Sequence, residues 1–404
     1  MQTPFCWPAR RPALASLVLL VYLAACSAGD TQSALVTVDT LVDGTPRVHT
    51  RAPLEEGHWT LELERELNPT RGAPGELVNP TSVAIADDGE LYVAEGDPVA
   101  VRRYTSDGQP AGIIGRFGEG PGEFRYAHVA LNGDTLVVHD FRTRRATAFE
   151  RNSGTILATA PTGCCFPENP VFAQDGALWT RSGLTRGPDG KHRQTVLRSD
   201  LRSGTTDTLL FTQEEFDGKR QWALGRLGQF DAFAPIPMVP TNMVALSPDG
   251  VITGWSATYL LRLHRNGPGP DRAFGRTWSP SEVSSAERAD FVEHEVASLL
   301  LIYPSADPVA LRTAMPATDI PAVRPAFDRI IADQAGRTWV VSGLPTSDSV
   351  LVDLFDGEGR WLDQLRQPAS LWRGRVTITA ERLLSIAEDA EGFPRIRIYR
   401  VARK

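Results

Sequence analysis

The chain has 404 residues, with 42 Lys plus Arg against 49 Asp plus Glu and a net charge of −7. An acidic balance of this kind favours solubility and argues against a nucleic-acid partner, because phosphate backbones are gripped by clustered cationic side chains. Only Lys191, Lys219 and Lys404 supply side-chain amines, so lysine-based covalent chemistry has few places to reside.

In chain order, the first segment reads as an address. Arg10 and Arg11 precede an apolar run from Ala13 to Ala25 that stops at Cys26, the layout of a secretory signal. As a helix this run rises only about 20 Å, short of the roughly 30 Å hydrocarbon core, which predicts export and not a spanning anchor. Leu23-Ala24-Ala25-Cys26 resembles the lipobox of bacterial lipoproteins. That resemblance implies removal of residues 1–25, acylation of Cys26 and attachment to a membrane through the lipid. Loss of Arg10 and Arg11 takes the net charge from −7 to −9. Ser27 follows the cysteine where an Asp would signal retention, so the resemblance implies an outer-membrane lipoprotein facing the periplasm or the cell surface. Residues 26–57 are then the lipidated N-terminus, a linker and an extra hairpin turning at Asp43-Gly44.

The rest of the chain, residues 58–404, is repetitive. Asn79 to Val93 and Phe124 to Val138 align without a gap, each reading as an apolar strand, a tight Asp/Asn-Gly turn and a second apolar strand. Upstream, Ala73-Pro-Gly-Glu-Leu77 recurs as Gly120-Pro-Gly-Glu-Phe124. The second strand marks six copies: Leu91-Tyr-Val-Ala-Glu95, Leu136-Val-Val-His-Asp140, Leu178-Trp-Thr-Arg-Ser182, Ile252-Thr-Gly-Trp-Ser256, Thr338-Trp-Val-Val-Ser342 and Leu383-Leu-Ser-Ile-Ala387. Four-stranded units repeating at roughly 45 residues predict an all-β fold, a six-bladed β-propeller, since one such unit cannot bury both of its faces alone. Gly44, Gly89, Gly133, Gly176 and Gly250 fit the tight turns.

Leu91-Tyr-Val-Ala-Glu95, the Arg102 to Tyr104 strand with its Ser106-Asp-Gly108 turn, and Gly115-Arg-Phe-Gly-Glu-Gly-Pro-Gly-Glu-Phe124 resemble NHL-type repeats. They are similar to those of six-bladed propeller lipoproteins of bacteria, over about residues 70–160 and more weakly to the C-terminus. The pattern departs from that signature at Glu95, where Asp is commoner, and in the degenerate last blade.

That last blade has only three strands of its own, near residues 375–379, 383–387 and 395–401. Residues 58–65 occupy the outer-strand slot by alignment, so the N-terminal segment is expected to close the ring. Insertions near residues 183–193, 211–240 and 276–325 all fall in connections on one face of the ring. The largest is predicted to be helical. Ser279-Pro-Ser-Glu282 reads as a capping box, Val292, Val296, Leu299 and Leu300 follow at helical spacing, and Asp307-Pro308 marks a second start.

The chain has no Gly-x-Ser-x-Gly elbow, phosphate-binding loop or Cys-x-x-Cys pair, and His294-Glu295 lacks the second histidine of a zinc-protease helix. Gly118-Glu-Gly-Pro-Gly122 lies in a blade-to-blade turn and not before a helix. Strand starts and ends on the elaborated face nominate His128, Asn169, Asn242, Asp328, Arg329, Glu95, His139, Asp140 and Arg142 as a ligand site. Such a ring of His, Asn and carboxylates would suit a hard divalent cation such as Ca²⁺. Alternatively, Glu95 and Asp140 tie down their own loops. Cys164 and Cys165 face an oxidising compartment as either a strained vicinal disulfide or two thiols. The leading functional expectation is binding of a ligand, glycan or partner protein at the loop-elaborated face. The alternative is a metal-dependent lyase or hydrolase, lactonase-like, acting at the axial mouth.

Overall fold

The structure is a computed structural model that describes residues 35–404 apart from 68–71, 74, 164–168, 228–229, 268, 344–346 and 390. Cys26, Cys164 and Cys165 therefore lie outside the described residues.

Six antiparallel sheets follow one another along the chain and form the blades of a β-propeller. Blade 1 comprises Pro80–Ile85, Leu91–Gly96, Val99–Tyr104 and Pro110–Ile114, ordered outward from the axis. Blade 2 starts at His128–Asn132, blade 3 at Val171–Phe172, blade 4 at Asn242–Ser247, blade 5 at Arg329–Ala332 and blade 6 at Arg375–Ile378. All six second-strand markers fall in second strands. Leu91, Tyr92, Val93 and Ala94 are all buried, with no inside-outside alternation. The cause is architectural: a blade in a ring is covered on both faces, so its inner strands read as continuous apolar runs. The outermost strand of the same blade, Pro110–Ile114, is mostly exposed.

Tight turns join first to second strands on one face. At the first, Ala86 and Glu90 pair backbones across Asp88-Gly89, Asp88 accepts from the Glu90 N–H, and Gly89 sits at φ +87°. Gly250 has a different reason to be glycine: a Cβ there would lie 2.0 Å from the His264 carbonyl oxygen.

The N-terminus closes the ring as expected. Trp59–Leu67 pairs antiparallel with Pro394–Arg403 and completes blade 6. Glu62, Glu64 and Glu66 on this strand meet Arg400, Arg382 and Arg397. The extra hairpin is present as Val36–Thr40 and Pro46–Thr50, and its second strand runs parallel to Arg272–Arg276 of blade 4. Between the two, the Leu54 and Glu55 N–H groups bond the carbonyls of Trp361 and Leu362, and the Gly57 and Trp59 N–H groups bond Asp363. Residues 36–67 thus form one strap across the rims of blades 4, 5 and 6.

The three insertions lie on the face opposite the first-to-second strand turns. The first is a β-ribbon, an extension of Leu178–Arg186 and His192–Ser199 that turns at Gly187 to Lys191. The second contains the hairpin Gln221–Leu227 and Phe230–Pro235, and the third contains the helices Ser285–Ile302 and Pro308–Ala314. Second and third share one hydrophobic core. Trp222, Ile236 and Met238 pack with Val283, Phe291, Val292, Val296, Leu299, Leu311 and Met315. The long helix begins later than Ser279-Pro-Ser-Glu282 suggested. Its capping box is Ser284 with Glu287, because Val283 is buried in the shared core and holds residues 282–283 extended, with its N–H on the Ala322 carbonyl. The second helix starts at Asp307-Pro308 as read, with the Asp307 carboxylate accepting from the Val309 N–H.

Candidate functional site at the axial mouth

A cavity of about 750 Å³ runs along the propeller axis, lined by the innermost strands of all six blades. Its ends differ in chemistry. At the turn end the charged lining residues are Asp87, Asp134, Arg151 and Asp333. Three of these are visibly committed: Arg151 pairs with Asp134 as well as with Asp88 and Glu90, and buried Asp333 holds Arg337 and the Trp339 indole. At the end facing the insertions the charged lining residues are Arg181, Arg329 and Arg375, with His128, Asn169 and Thr377 beside them.

His128 opens the first strand of blade 2 and is only 1% exposed. Its Nδ1 lies 3.1 Å from Asn169 Oδ1, and Asn169 Nδ2 donates to Thr377 Oγ1 at 2.7 Å. With the Asn169 amide nitrogen donating to Thr377, its oxygen accepts from His128 in the tautomer that carries its proton on Nδ1, which leaves a lone pair on Nε2. Burial pushes the imidazolium pKa down to about 4 against the help of Asn169, with the charges of His139 and Arg375 acting in the same direction as burial. His128 is therefore neutral at physiological pH. Blades 3 and 6 face each other across a six-blade ring, so the Asn169 to Thr377 bond crosses the axis and forms a polar floor beneath the mouth.

Around that floor the rim is stapled from blade to blade. Arg329 Nη1 donates to the Trp372 and Gly374 carbonyls, at 2.9 and 3.0 Å. Arg375 is exposed, and its two η nitrogens reach the Pro80 carbonyl and the Tyr126 hydroxyl, both at 3.3 Å. The Tyr126 ring lies 5.3 Å from the His128 ring and 4.9 Å from Phe141, over which Arg142 stands.

The nominated residues divide. His128, Asn169 and Arg329 meet in the cavity wall. Glu95 accepts from the Val78 and Asn79 N–H groups, and Asp140 from those of Arg125, Arg142 and Thr143, so both fasten the connection entering their blade. Burial raises the Glu95 carboxyl above its ordinary range, although Arg102 lies 3.6 Å away. Ser256 holds the Thr241 N–H in the equivalent position of blade 4, which marks this slot as part of the scaffold. Asn242 bonds both backbone groups of Glu214 and anchors an insertion, away from the cavity lining. Asp328 sits exposed on the rim, accepting from the Gly343 N–H. His139 is buried directly across the ladder from His128, and Arg142 is exposed. Among the described residues no three His, Cys, Asp or Glu side chains come together in a way that could hold a metal ion. The donor set does not fit the Ca²⁺ expectation: the nominated carboxylates do not converge, Glu95 and Asp140 being engaged by two and three backbone N–H groups of their own blades and Asp328 standing on the rim.

Arg375, Thr377, Arg181 and Tyr126 were not nominated from sequence. Arg375 was within reach, for it opens the first strand of blade 6 as His128 and Arg329 open theirs. No described residue of 214–240 or 277–325 lines the axial cavity, so the two fused insertions do not wall the mouth.

No family model and no curated protein matches the sequence. Solved structures do resemble it. A member of the DUF4221 family from Bacteroides vulgatus aligns with 87% of this chain and 100% of its own, at 9% identity and a TM-score of 0.51. A protein from Bacteroides fragilis, whose name marks it as a candidate for export, aligns with 89% of this chain and 99% of its own, at 11% identity and a TM-score of 0.48. The PQQ-bound aldose sugar dehydrogenase of Streptomyces coelicolor aligns with 87% and 100%, at 12% identity and a TM-score of 0.42. At such identities the likeness speaks to the fold, and the chain is a six-bladed β-propeller.

Proposed function

We propose that this protein is an exported, lipid-anchored propeller that binds a ligand, glycan or partner protein at its loop-elaborated face. The observation that carries this reading is the convergence of three insertions, two of them fused through a common core, on the face where the axial cavity presents its arginines. Loops on a rigid β scaffold vary without disturbing it, and binding residues concentrate where such loops gather. Anchoring rests on the Leu23-Ala24-Ala25-Cys26 motif, and placement in the outer membrane on Ser27.

Two experiments test the reading. Labelled palmitate fed to the native host should enter the wild-type protein and not Cys26→Ser; label in both would remove the anchor. A library of glycans and small metabolites should be screened against the intact mature protein and each hit mapped by hydrogen exchange. Protection is expected around residues 126–145, 181–195 and 214–242. Protection confined to the turns at 86–90, 132–135 and 247–250 would place binding on the other face and overturn the proposal.

A further inference from the structure

We infer that the axial mouth is a receptor for a small carboxylate that also carries a hydroxyl or amide donor; the inference rests on the elaborated face being the binding face and gives that face a ligand chemistry.

The argument begins with charge. The whole chain is at −7, so long-range attraction of anions by the protein as a body is absent and any anion preference must be local. The mouth is such a locality: at that end of the cavity the charged residues of the described lining are arginines, from blades 3, 5 and 6. Arg375 is the one best able to take a ligand. It is exposed, and both of its contacts are to neutral oxygens at 3.3 Å, at the long end for a hydrogen bond. A carboxylate would replace them with shorter, charge-assisted bonds in the forked geometry that arginine favours.

The second element is His128. Its Nδ1 proton is spent on Asn169, and Nε2 has no hydrogen-bond partner among the described residues although the ring is 1% exposed. A buried acceptor without a donor calls for an explanation, and a neutral imidazole lone pair in a cavity wall selects a ligand that brings a proton donor. Tyr126 links the two elements: its hydroxyl receives Arg375 and its ring lies against His128. The Asn169 to Thr377 bridge floors the cup, which favours a short ligand over one that threads the channel.

Calorimetry on the intact mature protein at constant ionic strength, with glycerate, propionate and glycerol as probes, tests this. Glycerate should bind, propionate more weakly and glycerol not at all. Arg375→Gln, at an exposed side chain, should lower glycerate affinity at least tenfold, whereas Arg220→Gln, which removes an exposed charge from the same face, should not change it. His128→Gln, checked for a wild-type melting profile, should bring glycerate down to the level of propionate. If glycerate fails to bind, if Arg375→Gln binds it as well as wild type, or if glycerol binds equally, the carboxylate assignment is wrong. The wider proposal is judged separately, since a neutral ligand protecting the elaborated face in hydrogen exchange would leave it standing and overturn only this inference.

Discussion

Blades 1 and 2 and blades 3 to 5 share one strand order yet solve different problems. In blades 1 and 2 the connections are short, and Glu95 and Asp140 hold the incoming chain by its backbone N–H groups. The interface between these blades is one continuous apolar cluster that includes Tyr92, Val101, Phe124, Val129, Leu136 and Phe149. Blades 3 to 5 keep the same inner strands but carry the ribbon, the hairpin and the helices, and the last two pack into a core that includes no residue of the blade strands. The contrast teaches that the blade interfaces stabilise the ring, while the insertions bring their own burial with them. An insertion can grow on a propeller only if it does not depend on the sheet beneath for its hydrophobic cover.

The largest expected effect breaks the ring itself. Deleting residues 35–67 removes the outer strand of blade 6 and the strap over blades 4 and 5, leaving the Pro394–Arg403 edge unpaired. The product should aggregate and show no cooperative urea transition; a soluble, cooperative truncation would mean that blades 1 to 5 hold the ring without closure.

The next tests the independence of the elaborated region. Deleting residues 281–320 alone should expose Trp222, Ile236 and Met238, each losing about 1.5–3 kcal/mol of burial, and should give strong binding of a hydrophobic dye. Deleting residues 214–240 as well should restore a dye-silent, cooperatively melting propeller. A silent single deletion would show that the two insertions do not share their core.

Within the regular region, His128 imposes a pH dependence whose sign is set by its lowered pKa. The folded state keeps the ring neutral down to about pH 4, whereas the unfolded chain protonates it near its ordinary value of 6.5. Its contribution is therefore fully present above pH 6.5 and is lost as pH falls from there toward 4, by roughly 3 kcal/mol in all. Urea midpoints for wild type and His128→Gln should lie close together at neutral pH and separate toward pH 4, where the wild type alone loses this stability. Parallel curves would mean the ring is not held neutral by the fold.

The smallest effect sharpens the line between scaffold and site. Asp140→Ala removes an acceptor of three backbone N–H groups and should cost about 2 kcal/mol in unfolding free energy, with no change in glycerate affinity. A loss of affinity without a loss of stability would return Asp140 to the binding site.

Much of this was legible in residue order. The repeat of strand, Asp/Asn-Gly turn and strand places all six second strands, and the missing last strand points to the N-terminus as its replacement. The alternative reading of Glu95 and Asp140 as loop fasteners is what the hydrogen bonds show. His128, Asn169 and Arg329 line the cavity because first strands entered from one face must approach the axis. Asn242 satisfies the same rule and still points to Glu214, because the adjoining insertion offers its amide two backbone partners that no local pattern reveals.

The sequence by itself determined the blade count, the ring closure and the face on which the insertions stand, for these follow from period, strand alternation and turn chemistry, all local. Tertiary structure alone decided that residues 50–58 strap blade 5, that the second and third insertions share a core, and that Asn169 reaches across the axis to Thr377, 208 residues later. Such contacts depend on how the closed ring sets distant segments side by side, and a hydrogen bond or an apolar contact leaves no periodic trace in the chain when its partners are fixed by closure and not by spacing.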